Sequence, residues 1–170
     1  MAVKRIAIDG PESTGKSLLA AQLAQHFNAG YVNEAARVYL ENLNRPYRQE
    51  DLVEIAMLQC RYEDDAAGKN ELIFCDTTLL VIKVWSEYKF GNCDERIEEE
   101  FRKRKYSLHL LTNIDLPWED DPLREHPYER NELFNRYHHY MKSNKFNYEI
   151  VTGLNETRLQ NAIAFCNRHL

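Results

Sequence analysis

Eight residues near the start of the chain, Gly10-Pro11-Glu12-Ser13-Thr14-Gly15-Lys16-Ser17, set two glycines with four residues between them ahead of a lysine and a hydroxyl. That spacing suits one chemistry. The glycines let the main chain curl until successive N–H groups face inward, and the positive end of a following helix adds to their pull on phosphate. In this P-loop pattern Lys16 reaches the β- and γ-phosphates and the Ser17 hydroxyl ligates magnesium. Gly10, Glu12, Ser13, Thr14, Gly15, Lys16, Ser17 and Leu18 are therefore expected to enclose ATP with Mg2+. A chance match in an ordinary loop is the alternative. The apolar run Val3–Ile8 before the motif, and the helical spacing of Leu19, Leu23 and Phe27 after it, argue against chance.

Three further groups could act on the phosphate. Asp76 follows the apolar run Leu72–Cys75; a carboxylate there holds magnesium directly or through water, or else caps the helix that follows. Glu34 could accept the proton of a substrate hydroxyl, or hold that hydroxyl in line with the γ-phosphate, and Asp76 is the alternative carboxylate for orienting it. Arg37, three residues on, could bind substrate or the transferred phosphoryl group; an ordinary surface Glu34–Arg37 pair is an equal alternative. The irregular segment Thr112–Pro127 holds three of the five prolines together with Asp115, Trp118, Asp120, Asp121 and Arg124. A loop of that length reads as a lid that excludes water and brings an arginine over the phosphates, a role assigned to Arg124. Trp118 packs over a ligand ring or anchors the loop, and Asp121 is placed on the acceptor side. Gly153 permits a tight turn near where the adenine should lie.

Short apolar runs alternate with helical patterns along the chain, which predicts an α/β fold with a parallel sheet flanked by helices. Strands are expected at Val3–Ile8, Tyr31–Asn33, Leu72–Cys75, Leu108–Leu111 and Tyr148–Val151. Helices are expected after the P-loop, from about Ala35 and Gln49, over Thr78–Lys89 and Asp94–Lys105, from near Tyr128, and from Asn155 as N-cap. In the helix after Tyr128, Leu133, Phe134, Tyr137, Tyr140 and Met141 mark a buried stripe, and His138-His139 read as surface or partly packed. The 170 residues fit one domain, with 44% hydrophobic and 29% charged side chains.

Composition excludes several classes. Net charge is −5, the wrong sign for broad nucleic-acid binding. The basic cluster Arg102-Lys103-Arg104-Lys105 follows an acidic run, as one solvated helix would have it. Cys60, Cys75, Cys93 and Cys166 are scattered without metal-ligand spacing, and Cys75 reads as a buried small hydrophobe. No apolar stretch reaches the roughly 20 residues a membrane helix needs, and the N-terminus reads directly into a strand, so the expected compartment is cytoplasmic. A GTPase would need Asn-Lys-x-Asp after a strand; Asn144-Lys145-Phe146-Asn147 lacks the Asp and precedes one. The expected partner is a small molecule; a homo-oligomer stays open.

Gly10–Ser17, Glu34-Ala35-Ala36-Arg37-Val38-Tyr39, Phe74-Cys75-Asp76-Thr77 and the stretch Asp115–Arg124 resemble, in order and spacing, the NadR-type nicotinamide riboside kinase domain. The resemblance spans nearly the whole chain, and Pro117-Trp118-x-x-Asp121-x-x-Arg124 is its most specific part. It implies a nucleoside-kinase-like fold with five parallel strands and a lid over about 112–127. It also implies ATP-dependent phosphorylation of the ribose 5′-hydroxyl of nicotinamide riboside to nicotinamide mononucleotide. The chain departs from the family at Asn33, where a Trp is usual, at Ala35-Ala36, at Thr78 in place of a second carboxylate, and at Pro122 in place of Gly. Losing an aromatic at 33 removes a stacking surface for a pyridinium, a contact worth about 0.5–2 kcal/mol. The DNA-binding and adenylyltransferase regions of the full regulator are not in the sequence, so it is not expected to repress transcription or make NAD alone. A kinase for another nucleoside or nucleotide, and a module that senses ATP or a pyridine nucleotide without turnover, are the alternatives.

Overall fold

The computed structural model describes residues 3–170. Five strands, β1 Lys4–Asp9, β2 Gly30–Val32, β3 Leu72–Asp76, β4 Leu108–Thr112 and β5 Tyr148–Val151, form one sheet in the order β2-β3-β1-β4-β5 with every pair parallel. Helices α1 Lys16–His26, α2 Ala35–Glu41, α3 Gln49–Ala67, α4 Leu79–Phe90, α5 Glu95–Lys103, α6 Arg130–Ser143 and α7 Asn155–His169 connect and cover them. A parallel strand covered on both faces reads as a near-continuous apolar run. Leu72-Ile73-Phe74-Cys75 and Leu108-His109-Leu110-Leu111 are such runs, and β4 is buried along its whole length.

Side chains alternate between faces, as the strand period dictates. Ile6, Ile8, Phe74, Leu108 and Leu110 meet Leu19 and Leu23 of α1 and Ala162 and Ile163 of α7. On the other face Leu111 packs with Leu80 and Val84 of α4 and with Leu133, Tyr137 and Met141 of α6. A second core joins Leu52 and Ile55 of α3 to Leu79 and Ile82 of α4 and Ile97 of α5. These cores fix the carboxyl ends of β1, β3 and β4 side by side, and open parallel sheets take their ligands at that edge. Among the described residues no helix is long and apolar enough to cross a membrane.

Two sequence expectations are corrected. Asn155 does not cap α7: it has φ 47°, outside the extended conformation an N-cap needs, and makes no capping bond. The turn through Gly153 (φ 99°) delivers the chain so that Asn155 is already the first helical residue. The basic cluster is not one solvated helix either. Helix α5 ends at Lys103, and Arg104 turns extended (φ −82°, ψ 136°). Its side chain, only 10% exposed, donates to Asp64 at 2.8 and 2.9 Å and to Glu63 at 3.4 Å. Buried Glu63 also accepts from the Tyr106 hydroxyl at 2.9 Å. Burial pushes its pKa up, against the opposing pull of Arg104, Tyr106 and Arg5.

Arg104→Ala would take the nearer of two cations from that buried carboxylate, leaving Arg5 at 4.0 Å. Unfolding free energy should fall by about 3 kcal/mol at neutral pH, as for a buried pair that loses its cation. A group whose folded pKa is raised loses stability as pH rises, so the deficit should shrink as pH is lowered and Glu63 protonates. Urea titrations of both proteins at pH 7 and pH 5 check this; a deficit of equal size at the two pH values contradicts it.

Candidate active site

The turn from β1 to α1 is shaped by close approach. Gly10 has φ 145°, and a Cβ there would lie 2.4 Å from Thr112 Oγ1. Gly15, at φ 75°, is the N-cap of α1 and supplies no side-chain cap. The N–H groups of the first helical turn therefore lack side-chain acceptors, and no acidic residue sits there to offset the helix dipole. Ser13 is held at φ 56°, a left-handed conformation that curls the loop into a nest of amides. Thr14 Oγ1 ties the curl, at 2.8 Å from the Pro11 carbonyl and 2.7 Å from Thr112 Oγ1. Lys16 Nζ donates to the Pro11 carbonyl at 2.7 Å.

A cavity of about 460 Å³ opens onto this loop. Lys16, Ser17, Glu34 and Arg37 line one part of it; Val81, Trp85 and Tyr88 of α4 and Leu133 and Tyr137 of α6 supply an apolar, aromatic wall. The segment Thr112–Pro127 supplies Leu116, Arg124 and His126. This segment is seated on the P-loop. Leu116 packs against Gly15, the Ser13 hydroxyl accepts from the Glu119 amide at 2.9 Å, and Arg130 donates to the Ser13 and Leu116 carbonyls at 3.1 and 3.0 Å. The Glu12 carboxylate accepts from the amides of Glu125 and His126 at 3.1 and 3.0 Å, with the His126 ring 3.5 Å away. On its far side the segment reaches the other wall: Asp121 pairs with Arg37 at 3.0 Å, and Glu125 takes bonds from Lys89 and Tyr47. Tyr47 in turn accepts from Trp85 Nε1 at 2.8 Å.

Asp76 ends β3 beneath the P-loop, 1% exposed, and one of its oxygens has no hydrogen-bond partner. The other accepts from Tyr31 at 3.4 Å. Burial raises the Asp76 pKa, partly opposed by Ser17, Lys16 and Tyr31. Glu34 behaves likewise: burial raises it and Lys16 pulls it back. Helix α4 takes its cap from Thr78, whose Oγ1 accepts from the Leu80 amide, so Asp76 does not serve as N-cap. Thr78 also donates to Asp9 at 2.7 Å, and His109 Nδ1 lies 2.7 Å from the second Asp9 oxygen.

The fold thus brings Gly10–Leu18, Glu34, Arg37 and Arg124 to one cavity, with Asp76 under the loop that forms its floor. The Glu34–Arg37 surface pair is not formed, because Arg37 is taken by Asp121 and by Glu41 at 3.7 Å. Trp118 and Asp121 are not in the lining. The Trp118 ring lies within 6.0 Å of the Arg124 and Arg130 guanidinium groups, and its Nε1 donates to Asp120 within the same segment. Gly153 also lies outside the cavity, its amide donating to Asp115 at 2.9 Å. Sequence reasoning missed Trp85, Tyr88, His126 and Arg158. Val81, Trp85 and Tyr88 repeat at helical spacing, which was the available signal; Arg158 shares that spacing with Ala162 and Cys166 on the apolar face of α7. Leu133 and Tyr137 form a buried stripe as expected, yet they also wall the cavity.

A family model described as AAA domain (AAA_28) matches residues 5–158. The chain belongs to this family. Among curated proteins, the trifunctional NAD biosynthesis/regulator protein NadR of Salmonella typhimurium is 28% identical over 127 residues, 72% of this chain and 31% of that protein. The chain therefore spans about a third of that relative's length. Two solved structures of NadR protein, one in complex with NR and one with NAD and AMP-PNP, superpose with TM-scores of 0.82 and 0.78. They share 23% and 22% identity with it, over 99% of this chain and 52% and 50% of theirs. Deoxyadenosine kinase from M. mycoides with bound dCTP matches at TM-score 0.60 and 15% identity, over 96% of this chain and 99% of that one. The fold is that of the NadR P-loop domain and of P-loop nucleoside kinases.

The Glu12–His126 contact should make the seating of segment 112–127 on the P-loop pH-dependent. The Glu12 hydrogen bond raises the His126 pKa above 6.5. Burial alone would raise Glu12, but the bonds from His126 and the Glu125 amide outweigh it and hold Glu12 below 4.5. A raised histidine stabilises below 6.5 and loses its effect as pH climbs through its folded value; a lowered carboxylate stabilises above 4.5 and loses its effect on acidification. Docking should therefore be firmest between those limits and loosen as pH climbs above them. Iodide quenching of Trp118 fluorescence in a Trp85→Phe background should rise as pH climbs above 6.5 and flatten in His126→Gln. A rise that persists in the His126 variant contradicts the assignment.

Proposed function

We propose that this chain is an ATP-dependent small-molecule kinase whose acceptor is nicotinamide riboside, giving nicotinamide mononucleotide. The observation that carries the proposal is the meeting of an uncapped P-loop, a carboxylate with a raised pKa (Glu34) and a lid arginine (Arg124) on one cavity with an aromatic wall. Phosphoryl transfer needs positioning and charge stabilisation more than covalent chemistry. The P-loop amides and Lys16 hold the β- and γ-phosphates; Arg124, carried by the lid, offsets charge that develops on the transferring group. The acceptor oxygen attacks the γ-phosphorus, the β–γ bridging oxygen leaves with ADP, and Glu34 takes the hydroxyl proton. A pKa raised toward neutrality makes Glu34 a better base for that proton.

Ser17 and Asp76 are the residues that would hold Mg2+. The partnerless Asp76 oxygen, beside a hydroxyl, fits an ion that takes one or two protein oxygens and completes its shell with phosphate and water. Among the described residues no three His, Cys, Asp or Glu side chains group as a metal cage, and such a site needs none. Bound magnesium would neutralise charge on the phosphate oxygens. The acceptor is inferred from the NadR likeness, and Trp85 and Tyr88 are aromatic side chains in the cavity lining, which Asn33 is not part of.

Incubation with ATP and nicotinamide riboside should release ADP, with cytidine, uridine and thymidylate clearly poorer. Glu34→Gln should lower kcat by about 10²–10⁴ with little change in the KM for ATP. Turnover of another nucleoside instead would move the acceptor. ATP binding without turnover of any nucleoside would favour a sensing module.

A further inference from the structure

Arg158 is an arginine that the fold has no evident need to bury. It sits on α7, 5% exposed, on the helix face that otherwise presents Ala162 and Cys166 to the core. Its one carboxylate neighbour, Asp115, is 3.4 Å away, and its Nε has no hydrogen-bond partner. Taking a guanidinium out of water with so weak a counter-charge is costly, so its remaining bonds should show what it is there for. One terminal nitrogen donates to the Thr14 carbonyl at 2.6 Å and to the Asn113 carbonyl at 3.1 Å. The other donates to the Gly153 carbonyl at 3.1 Å. Three carbonyls converge on this one side chain: one from the P-loop, 144 residues away in sequence, one from just after β4 and one from the turn after β5.

The shortest of these bonds goes to the P-loop. In a planar trans peptide the carbonyl of one residue and the N–H of the next point in opposite directions. A guanidinium that holds the Thr14 carbonyl on the side away from the cavity thereby turns the Gly15 N–H toward it; Gly15 lines the cavity and Arg158 does not. Without that hold the peptide can rotate and present a carbonyl to an anion.

We propose that Arg158 is a positioning residue: by gripping the Thr14 carbonyl from behind, it keeps the P-loop amides aimed at phosphate before any ligand arrives. The proposal rests on the reading of this loop as a polyphosphate site, and it separates phosphate positioning from recognition of the base. It does not require that the acceptor be nicotinamide riboside.

The test compares Mg-ADP with Mg-tripolyphosphate, which has no base or sugar, by calorimetric titration of the wild type, Arg158→Gln and Arg158→Lys. Loss of one charge-assisted bond at the cradle should weaken both ligands by about tenfold or more in Arg158→Gln, and by the same factor for each. Arg158→Lys keeps the charge and most of the bulk but cannot span the three carbonyls, and should fall between. The Lys variant also serves if the Gln variant does not fold. Tripolyphosphate affinity unchanged in a folded variant overturns the proposal, as does a loss confined to ADP, which would make Arg158 a base-site residue. A wild type that binds neither ligand would sink the underlying reading of the loop, a different outcome from wild-type affinity kept in the variants.

Discussion

The structure is organised around a set of main-chain N–H groups that the fold leaves without acceptors. Gly15 caps α1 with no side chain, no acidic residue enters the first turn, and Ser13 and Gly15 both adopt left-handed φ. Donors left free at a helix N-terminus take their acceptors from water or from a bound anion. The surrounding fold holds them in place: Gly10 against Thr112, Thr14 against Pro11 and Thr112, and Arg158 against the Thr14 carbonyl. The parallel sheet supplies the frame, since pairing of β1 with β3 and β4 sets Asp9, Asp76 and Thr112 in neighbouring strands at one edge.

The segment 112–127 is bonded to both walls of the cavity. Toward the P-loop it gives amides to Glu12 and Ser13; toward the α2–α4 side it gives Asp121 to Arg37 and Glu125 to Tyr47 and Lys89. Trp85, which faces the cavity, is joined through Tyr47 and Glu125 to Glu12 by a continuous run of hydrogen bonds. The two walls are thus tied together through groups in direct contact.

How much of this the sequence showed depends on where the determining contacts lie. The P-loop was legible because its chemistry is local: eight consecutive residues and their flanking periodicity suffice. Strands β3, β4 and β5 were legible for the same reason, and their ends moved by a single residue at most. Arg104 was not, because its partners Glu63 and Asp64 lie about 40 residues away and nothing in a basic run distinguishes the one side chain that folds inward. Asp121 and Arg37 were both singled out as substrate contacts, while their mutual bond, 84 residues apart in sequence, shows only in three dimensions. Asn155 failed for a backbone reason: a residue suited to capping was delivered by the preceding turn in the wrong conformation. The cavity's aromatic wall was hidden because one periodicity marks both a core face and a ligand face.

The central claim is that the amides of residues 13–17 hold phosphate, and amide chemical shifts report on it directly. In ¹⁵N–¹H spectra titrated with Mg-ADP, the resonances of Gly15, Lys16 and Ser17 should move downfield more than any outside the P-loop and the segment 112–127, as donors gain an anionic acceptor. Saturable binding that leaves those three amides unshifted, and moves resonances elsewhere instead, would contradict the account.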